Sequence, residues 1–514
     1  MVTSRRYGML LGVVSGVAGL AASELISGWL HQRVSPLVAV SEGVIRLTPG
    51  AVIEPVISLV GTNDKPFLIG LTVVLMVALS AVAGAVAMRS VLAAQGVFLL
   101  LGVVVLLAVG TRLSSSSTTY VPAIVGIVTS LVLVSLLASK AHQAAAVRPG
   151  EGDSVAGARH QASRRRFLVL AGVVGVGAVV AGSTGRFLAS GRAAVEAARS
   201  KLKLPVRGAE APSGVELGVR GVAPWMTSQD KFYRIDTALA VPQILPQNWE
   251  LRVHGMVDRE VKLTYQDLLD RGLQQAWLTL CCVSNPIGGD LISNAEWSGI
   301  RIADVLAEAG VQKGADAVKS TSEDGWTCGT PIAALTDDRN ALFAVAMNGE
   351  PLTPEHGFPV RMVVPGLYGY VSATKWVVDL ELTRFDDFSA FWTERGWSQE
   401  GPVKTQSRID VPRDGASLSS GRVVIAGVAW AQHRGIEKVE VRVGAGDWMT
   451  ATLGADPSVD TWVQWSVPWN AAAGDHDIAV RATDKTGSTQ TDELADVVPD
   501  GATGWHTITV EVSE

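Results

Sequence analysis

Leu280-Cys281-Cys282-Val283-Ser284-Asn285 decides how the second half of this chain is read, together with three later clusters: His356-Gly357-Phe358-Pro359-Val360-Arg361, Pro365-Gly366-Leu367-Tyr368-Gly369 and Lys375-Trp376. A cysteine thiolate is a soft metal ligand. An arginine offers a planar bidentate fork for phosphate, and a lysine adds a compact point charge. One thiolate followed by a spaced His, Arg and Lys suits a soft metal ion whose organic partner carries a phosphate. A lone cysteine is more often a small buried hydrophobe; the other clusters outweigh that reading at Cys282.

Around these clusters the pattern mixes short strands with short helices. Residues 249–255 alternate like a strand. Residues 263–269 open a helix, with Thr264 as N-cap and Asp267 at the capping-box position. The apolar run 276–280 delivers Cys282 at its end, residues 297–306 read as turn, strand and helix, and 358–364 as a further strand. This predicts an α+β domain over 225–400, not an alternating doubly wound sheet. From Val403 onward, short strands at 423–428, 436–443, 462–467, 477–483 and 506–512 predict an all-β sandwich over 403–514.

The amino-terminal part is of another kind. Residues 1–200 hold 16 Lys and Arg against 7 Asp and Glu, whereas the remainder holds 27 against 42 and carries 14 of the 15 tryptophans. An apolar region with basic flanks thus precedes an acidic, Trp-rich one, and so acidic a surface argues against nucleic acid as partner. Three cysteines, two of them adjacent and too strained to bridge, argue against a disulfide framework.

A helix needs about 20 apolar residues to span a bilayer. Segments 8–30, 66–88, 91–110 and 120–138 qualify, and 167–185 is a weaker, Gly- and Ala-rich fifth, so 1–190 is read as a membrane domain. Segment 34–60, interrupted by charges and prolines, reads as interfacial, with a sixth span as the alternative. Basic groups at Arg5-Arg6, Arg89 and 140–166 share one side of a five-span topology. By the positive-inside rule the amino terminus is cytoplasmic and the carboxy-terminal part lies outside the cytoplasmic membrane. Ser163-Arg164-Arg165-Arg166-Phe167-Leu168 resembles a twin-arginine translocation signal, the alternative being a plain basic anchor. Residues 191–224, a short helical pattern and then a Pro- and Gly-rich stretch, read as a linker.

The cysteine and pterin-type clusters resemble the sulfite oxidase family of molybdopterin enzymes and the periplasmic methionine sulfoxide reductases related to it. Gly288-Gly289, Ala295-x-Trp297-x-Gly299 and Asp304-x-Leu306 also match the region after the family's metal cysteine. The resemblance implies that Cys282, followed at the third position by Asn285, supplies the thiolate to molybdenum, while Cys281 is out of register. It implies that Asn285, His356, Arg361 and Lys375 hold a molybdenum–molybdopterin cofactor, and that the reaction is oxygen-atom transfer on a small molecule. Arg234, in Phe232-Tyr233-Arg234, matches the arginine that lines the family's oxyanion pocket and is the second candidate catalytic residue.

Departures from the family pattern bear on substrate. Ile235 and Asp236 replace the Asn and His that follow that arginine, Ile287 stands where another arginine is expected, and Trp397 falls near the family's active-site tyrosine. Charge-assisted contacts of about 1.5–3 kcal/mol each are thereby lost. A neutral sulfoxide or N-oxide fits the reduced charge; sulfite dehydrogenation is the alternative, and a non-catalytic membrane-anchored binding protein is the alternative of another class. Cys328 reads as a core thiol, the alternative being an approach to the pocket. Gly435-Ile436-x-Lys438-Val439-Glu440-Val441 and Val480-Arg481-Ala482-x-Asp484-x-x-Gly487 resemble the family's immunoglobulin-like dimerisation domain, which implies a possible homodimer. His31 and His142 fall about a bilayer thickness apart and cannot share a haem, and no Cys-x-x-Cys-His occurs. A separate electron-transfer partner, a cytochrome or quinol-linked membrane protein, is therefore expected.

Overall fold

Uninterrupted apolar stretches become long helices at the amino-terminal end of the chain. The structure, a computed structural model, describes residues 2–30, 35–48, 64–110, 117–145, 165, 169, 171–177, 180 and 192–514. Contacts divide it into two units: Met1–Glu196 with Ala238–Gln243, and Ala197–Thr237 with Ile244–Glu514.

The first unit contains α1 (Val2–Trp29), α2 (Pro36–Leu47), α3 (Asp64–Ala87), α4 (Val91–Gly110) and α5 (Val121–Ala145). Arg5–Trp29, Phe67–Ala87, Val91–Gly110 and Thr118–Lys140 are long and apolar enough to cross a membrane. They correspond to the first four expected spans. Gly12 of α1 lies against Ser80 and Gly84 of α3, and Gly19 against Gly126 and Ser130 of α5. Small residues there let the backbones approach to contact, as helices in lipid require. On α4, Leu92, Leu100 and Leu107 are exposed, as a lipid-facing surface would be. At 12 residues, about 18 Å of helix, α2 is too short to cross by itself; Ser41 ties it to α3 through Thr72, 3.1 Å between hydroxyls. Residues 49–63, His31, most of 167–185 and all of the 163–168 motif except Arg165 lie outside the described residues.

The second unit begins with α6 (Arg192–Lys201), which crosses the unit boundary. Its Arg199 donates to the carbonyls of Pro351 and Leu352. Residues 205–224 form no helix or strand, yet they are not a free tether. Gln464 Oε1 accepts from Leu217 N at 2.8 Å and Asp410 Oδ2 from Ala223 N at 2.9 Å. Trp225, fully buried, and Trp462 each donate an indole N–H to the other's carbonyl, at 3.0 and 2.9 Å. High Pro and Gly content signalled the loss of periodicity, not the loss of packing.

One five-stranded sheet runs β2 (Val261–Thr264), β1 (Glu250–Gly255), β10 (Val377–Thr383), β5 (Ala317–Ser322), β6 (Thr327–Pro331), with β1 parallel to β10. Helix α7 (Tyr265–Asp270) follows β2 with the anticipated capping box: Thr264 Oγ1 accepts from Asp267 N and Asp267 Oδ2 from Thr264 N. A second sheet runs β3 (Gln274–Cys281), β4 (Ile292–Arg301), β7 (Leu342–Met347), β8 (Glu350–Pro351), with β9 (Arg361–Val363) also paired to β7. Every residue of β7 is buried, which marks it as the covered centre of the sheet. Strand β4 passes directly into α8 (Ile302–Ala309), without the separate turn expected near 297. This is an α+β domain, as expected.

The carboxy-terminal region is β-rich. One sheet runs β11 (Gln406–Val411), β13 (Gly421–Trp430), β17 (Val463–Ala471), β16 (Thr452–Leu453); the other runs β12 (Ser417–Ser419), β19 (His506–Ser513), β18 (Gly474–Asp484), β14 (Ile436–Val443), β15 (Met449–Thr450). Ile425 and Trp465 from the first meet Val439, Val480 and Ile508 from the second in one core. Strand β11 carries no apolar alternation in the sequence because its buried residues Gln406, Ser407 and Arg408 are polar.

Candidate functional site

Strand β3 ends at Cys281, and the chain then turns through residues 282–291 before β4. Cys282 N donates to Leu291 O at 2.9 Å, Asn285 N to Cys282 O at 3.1 Å, and Asn285 Oδ1 accepts from Leu291 N at 2.9 Å. Asn285 therefore closes the turn from within, behind the cleft that Cys282 lines. Its Nδ2 makes no well-formed hydrogen bond, although the amide lies near enough to Cys281 to lower that thiol's pKa. Cys281 is buried and absent from the cleft wall. Burial pushes the Cys282 thiol up, with Ser284 partly offsetting it. A free thiol is favoured until a cation stabilises the thiolate.

The cleft encloses about 920 Å³, its open mouth included. Its far wall comes from residues 354–376. Gly357 adopts φ +104°, and a Cβ there would press on Arg361 and Lys375; glycine alone fits. That turn brings His356, Arg361 and Lys375 together on the cleft, with Arg361 and Lys375 joined by an antiparallel bridge.

Charge at this wall is one-sided. Arg361 is 6% exposed, stacks 5.1 Å over Trp297 and donates to the carbonyl of His356 at 3.3 Å. No carboxylate lies within ion-pair distance of it among the described residues. Burial lowers its pKa to about 10. Lys375 Nζ meets Asp236 Oδ2 at 2.9 Å; burial still lowers it to about 8, against the pull of Asp236. His356 Nε2 lies 2.9 Å from Gln229 O, so Nε2 carries the proton and Nδ1 is left as acceptor. Burial first, then Arg361 and Lys375, lower its pKa to about 4.

Arg234, expected at the substrate pocket, stands between the cleft residues Tyr233 and Ile235 but is not itself among them. Its Nε bonds Asp236 Oδ2 at 2.9 Å, and its side chain is absent from the cleft wall. The carboxylate two residues on captures the guanidinium, and the same Oδ2 also accepts from Lys375 Nζ. Ile287, where an arginine was expected, packs at Gly504 and also stays off the wall. Trp397 does line the cleft, beside Trp392 at 6.1 Å between ring centroids. Cys328 is a core thiol, fully buried between Ser320 and Thr374.

Several wall residues were not anticipated: Tyr233, Ser322, Asp324, Trp326 and Tyr370. Tyr233 is held protonated, its pKa raised by burial and then by Cys282 and Cys281. The Phe232-Tyr233 pair before Arg234 was the one signal for it in the sequence.

An uncompensated buried guanidinium, a lysine depressed by burial, a neutral histidine with a spare acceptor and a buried Ser322 hydroxyl without a partner all require something more. An anionic, hydrogen-bonding group bearing a soft metal fits this donor set, with Cys282 lining the same cleft as the one thiol there.

Comparison with known proteins points the same way. Residues 238–392 match the family described as "Oxidoreductase molybdopterin binding domain". The chain is 36% identical over 153 residues to the uncharacterized oxidoreductase YuiH of Bacillus subtilis (strain 168), covering 30% of this chain and 74% of that protein. It is 29% identical over 333 residues to mitochondrial sulfite oxidase of Homo sapiens, covering 54% of this chain and 60% of that protein, less than two thirds of its length. Among solved structures, the sulfane dehydrogenase SoxCD of Paracoccus pantotrophus is similar with a TM-score of 0.51 at 22% identity, covering 56% of this chain and 82% of that one. At that identity the likeness concerns the fold alone.

Proposed function

Because this chain belongs to the sulfite oxidase family of molybdopterin-dependent oxidoreductases, we propose that its molybdenum–molybdopterin cofactor serves oxygen-atom transfer on a small neutral S- or N-oxide. The observation that carries this is the cleft wall. Both cations that line it, Arg361 and Lys375, are buried, and Arg234 is paired with Asp236 and is not itself among the lining residues. The wall otherwise combines the apolar and aromatic Tyr233, Ile235, Trp326, Trp392 and Trp397 with the carboxylates Asp236 and Asp324, a lining that suits an uncharged organic group better than a dianion.

When bound, the molybdenum cofactor supplies the two-electron oxygen-transfer chemistry. On this reading Cys282 gives the metal its protein thiolate, and Asn285 fixes the turn behind it. Arg361 and Lys375 hold the phosphate, with Arg234 acting at one remove through Asp236. His356, neutral and with Nδ1 left to accept, would hold the pterin. Tyr233 keeps its proton and presents a donor to the pocket. Electrons pass to or from a separate partner, a cytochrome or a quinol-linked membrane protein.

The chain divides on this reading into a membrane domain, 1–190, a linker, 191–224, an oxidoreductase domain, 225–400, and an immunoglobulin-like, dimerisation-type domain, 403–514. The oxidoreductase faces outward from a five-span anchor, exported folded under the 163–168 signal. Gel filtration in detergent is expected to give twice the 54.0 kDa chain mass; monomer mass alone would remove the dimer.

Detergent-purified protein assayed with sulfoxides and N-oxides under a reduced viologen dye is expected to turn over. Sulfite-dependent reduction of an electron acceptor, with no turnover of the oxides, would replace this reading with sulfite dehydrogenation. That second reading is favoured by the similarity to sulfite oxidases over half of the chain.

A further inference from the structure

The turn that carries Cys282 is gripped from outside the α+β domain. Strand β3 is pinned at Thr279: its N–H donates to Asp460 O at 2.9 Å, and its hydroxyl accepts from Trp462 N at 2.8 Å. Both partners belong to the carboxy-terminal β region. Past Cys282, Ile287 packs at Gly504, and Gly288, at φ +72°, lies flat under the His506 ring where a Cβ would not fit. His506 Nδ1 in turn accepts from Ile409 N at 3.0 Å.

The polar centre of this grip is Arg408, on strand β11 and 8% exposed. Its Nη1 donates to Gly289 O at 2.7 Å, and its Nε is fixed by Asp410 Oδ1 at 2.6 Å. Asp410 is itself held by Ala223 N through Oδ2. A buried arginine on an edge strand of a β domain has no need to reach a neighbouring loop for stability alone; an aliphatic residue would fill the space without the desolvation cost. Here one further donor of the guanidinium, at Nη1, goes to a carbonyl within the cysteine turn.

We propose that Arg408 is a positioning residue for the metal ligand: through Gly289 it holds the turn that presents Cys282, so the carboxy-terminal β region is part of the support of the metal site. This rests on Cys282 being that ligand. Residues behind metal ligands set ligand orientation and the electronic character of the metal.

The test uses full-length, detergent-purified protein and two measurements. In cofactor-free protein, the alkylation rate of Cys282 is followed by peptide mass; in loaded protein, the paramagnetic Mo(V) spectrum is recorded. Arg408→Ala is expected to raise alkylation about tenfold or more, the freedom released by one lost charge-assisted hydrogen bond, and to shift the Mo(V) spectrum. Arg408→Gln combined with Asp410→Asn keeps a donor for Gly289 without either charge and is expected to return alkylation toward the parent rate. Parent-like alkylation and spectrum in Arg408→Ala would overturn the proposal. If Arg408→Ala does not fold, Arg408→Lys decides, since it keeps the charge and loses the fork: a changed spectrum or alkylation rate supports the proposal, and parent values of both overturn it. A Cys282→Ala control with an unchanged Mo(V) spectrum would instead overturn the ligand assignment, a separate failure.

Discussion

Two neighbouring cysteines receive opposite fates from one turn. Cys282 faces the cleft while Cys281 is buried behind it. Cys282→Ala is expected to lower turnover by more than about 10²-fold, beyond the loss typical of residues that only support a ligand, whereas Cys281→Ala should stay near the parent rate. Comparable losses in both would move the ligand assignment. His356 offers a second test at this scale. Its folded pKa of about 4 lies below the ordinary 6.5, so between those values the unfolded chain binds more protons than the fold. Stability of cofactor-free protein should fall as pH drops from about 6.5 to about 4, with a contribution on the order of 3 kcal/mol. Thermal melts should show that slope reduced in His356→Gln; an unchanged slope would mean His356 titrates normally. Cys282, His356, Arg361 and Lys375 were legible as clusters with chemistry. Asp236 was visible only as a departure from a motif, because its bond to Lys375 joins residues 139 apart in the chain.

At the scale of elements, signals confined to a few residues carried over well. The Thr264–Asp267 capping box and the 436–443 strand stand where the sequence placed them, since capping and alternation depend on local spacing. The Pro- and Gly-rich stretch before residue 225 did not reveal its packing, because an extended segment docks by isolated anchors and shows no period. Trp225→Ala tests that docking. Removing a fully buried indole and both of its reciprocal bonds with Trp462 should cost about 3–5 kcal/mol, read from denaturant unfolding of the full chain. A loss below about 1 kcal/mol would make residues 205–225 a tether after all.

For the whole molecule, the amino-terminal helices predict an orientation. Protease applied to intact spheroplasts should remove the region after residue 192 and leave the helices protected by the membrane; protection of that region until lysis would reverse the topology. Four of the five expected spans are long apolar helices in the fold. They were readable because crossing lipid is a requirement on each helix separately, met by length and composition. Cys282, His356, Arg361 and Lys375, which we propose hold the metal and its phosphate-bearing partner, were likewise legible in the sequence as ordered clusters of residue types. What only the tertiary structure decided is which charges stay free to act. Arg234 is taken by Asp236, Ile287 turns toward the carboxy-terminal region, and Arg408 reaches the cysteine turn from a strand 119 residues beyond Gly289. Such outcomes depend on which strands and loops the topology makes neighbours, and a buried charge takes whichever partner that arrangement leaves within reach.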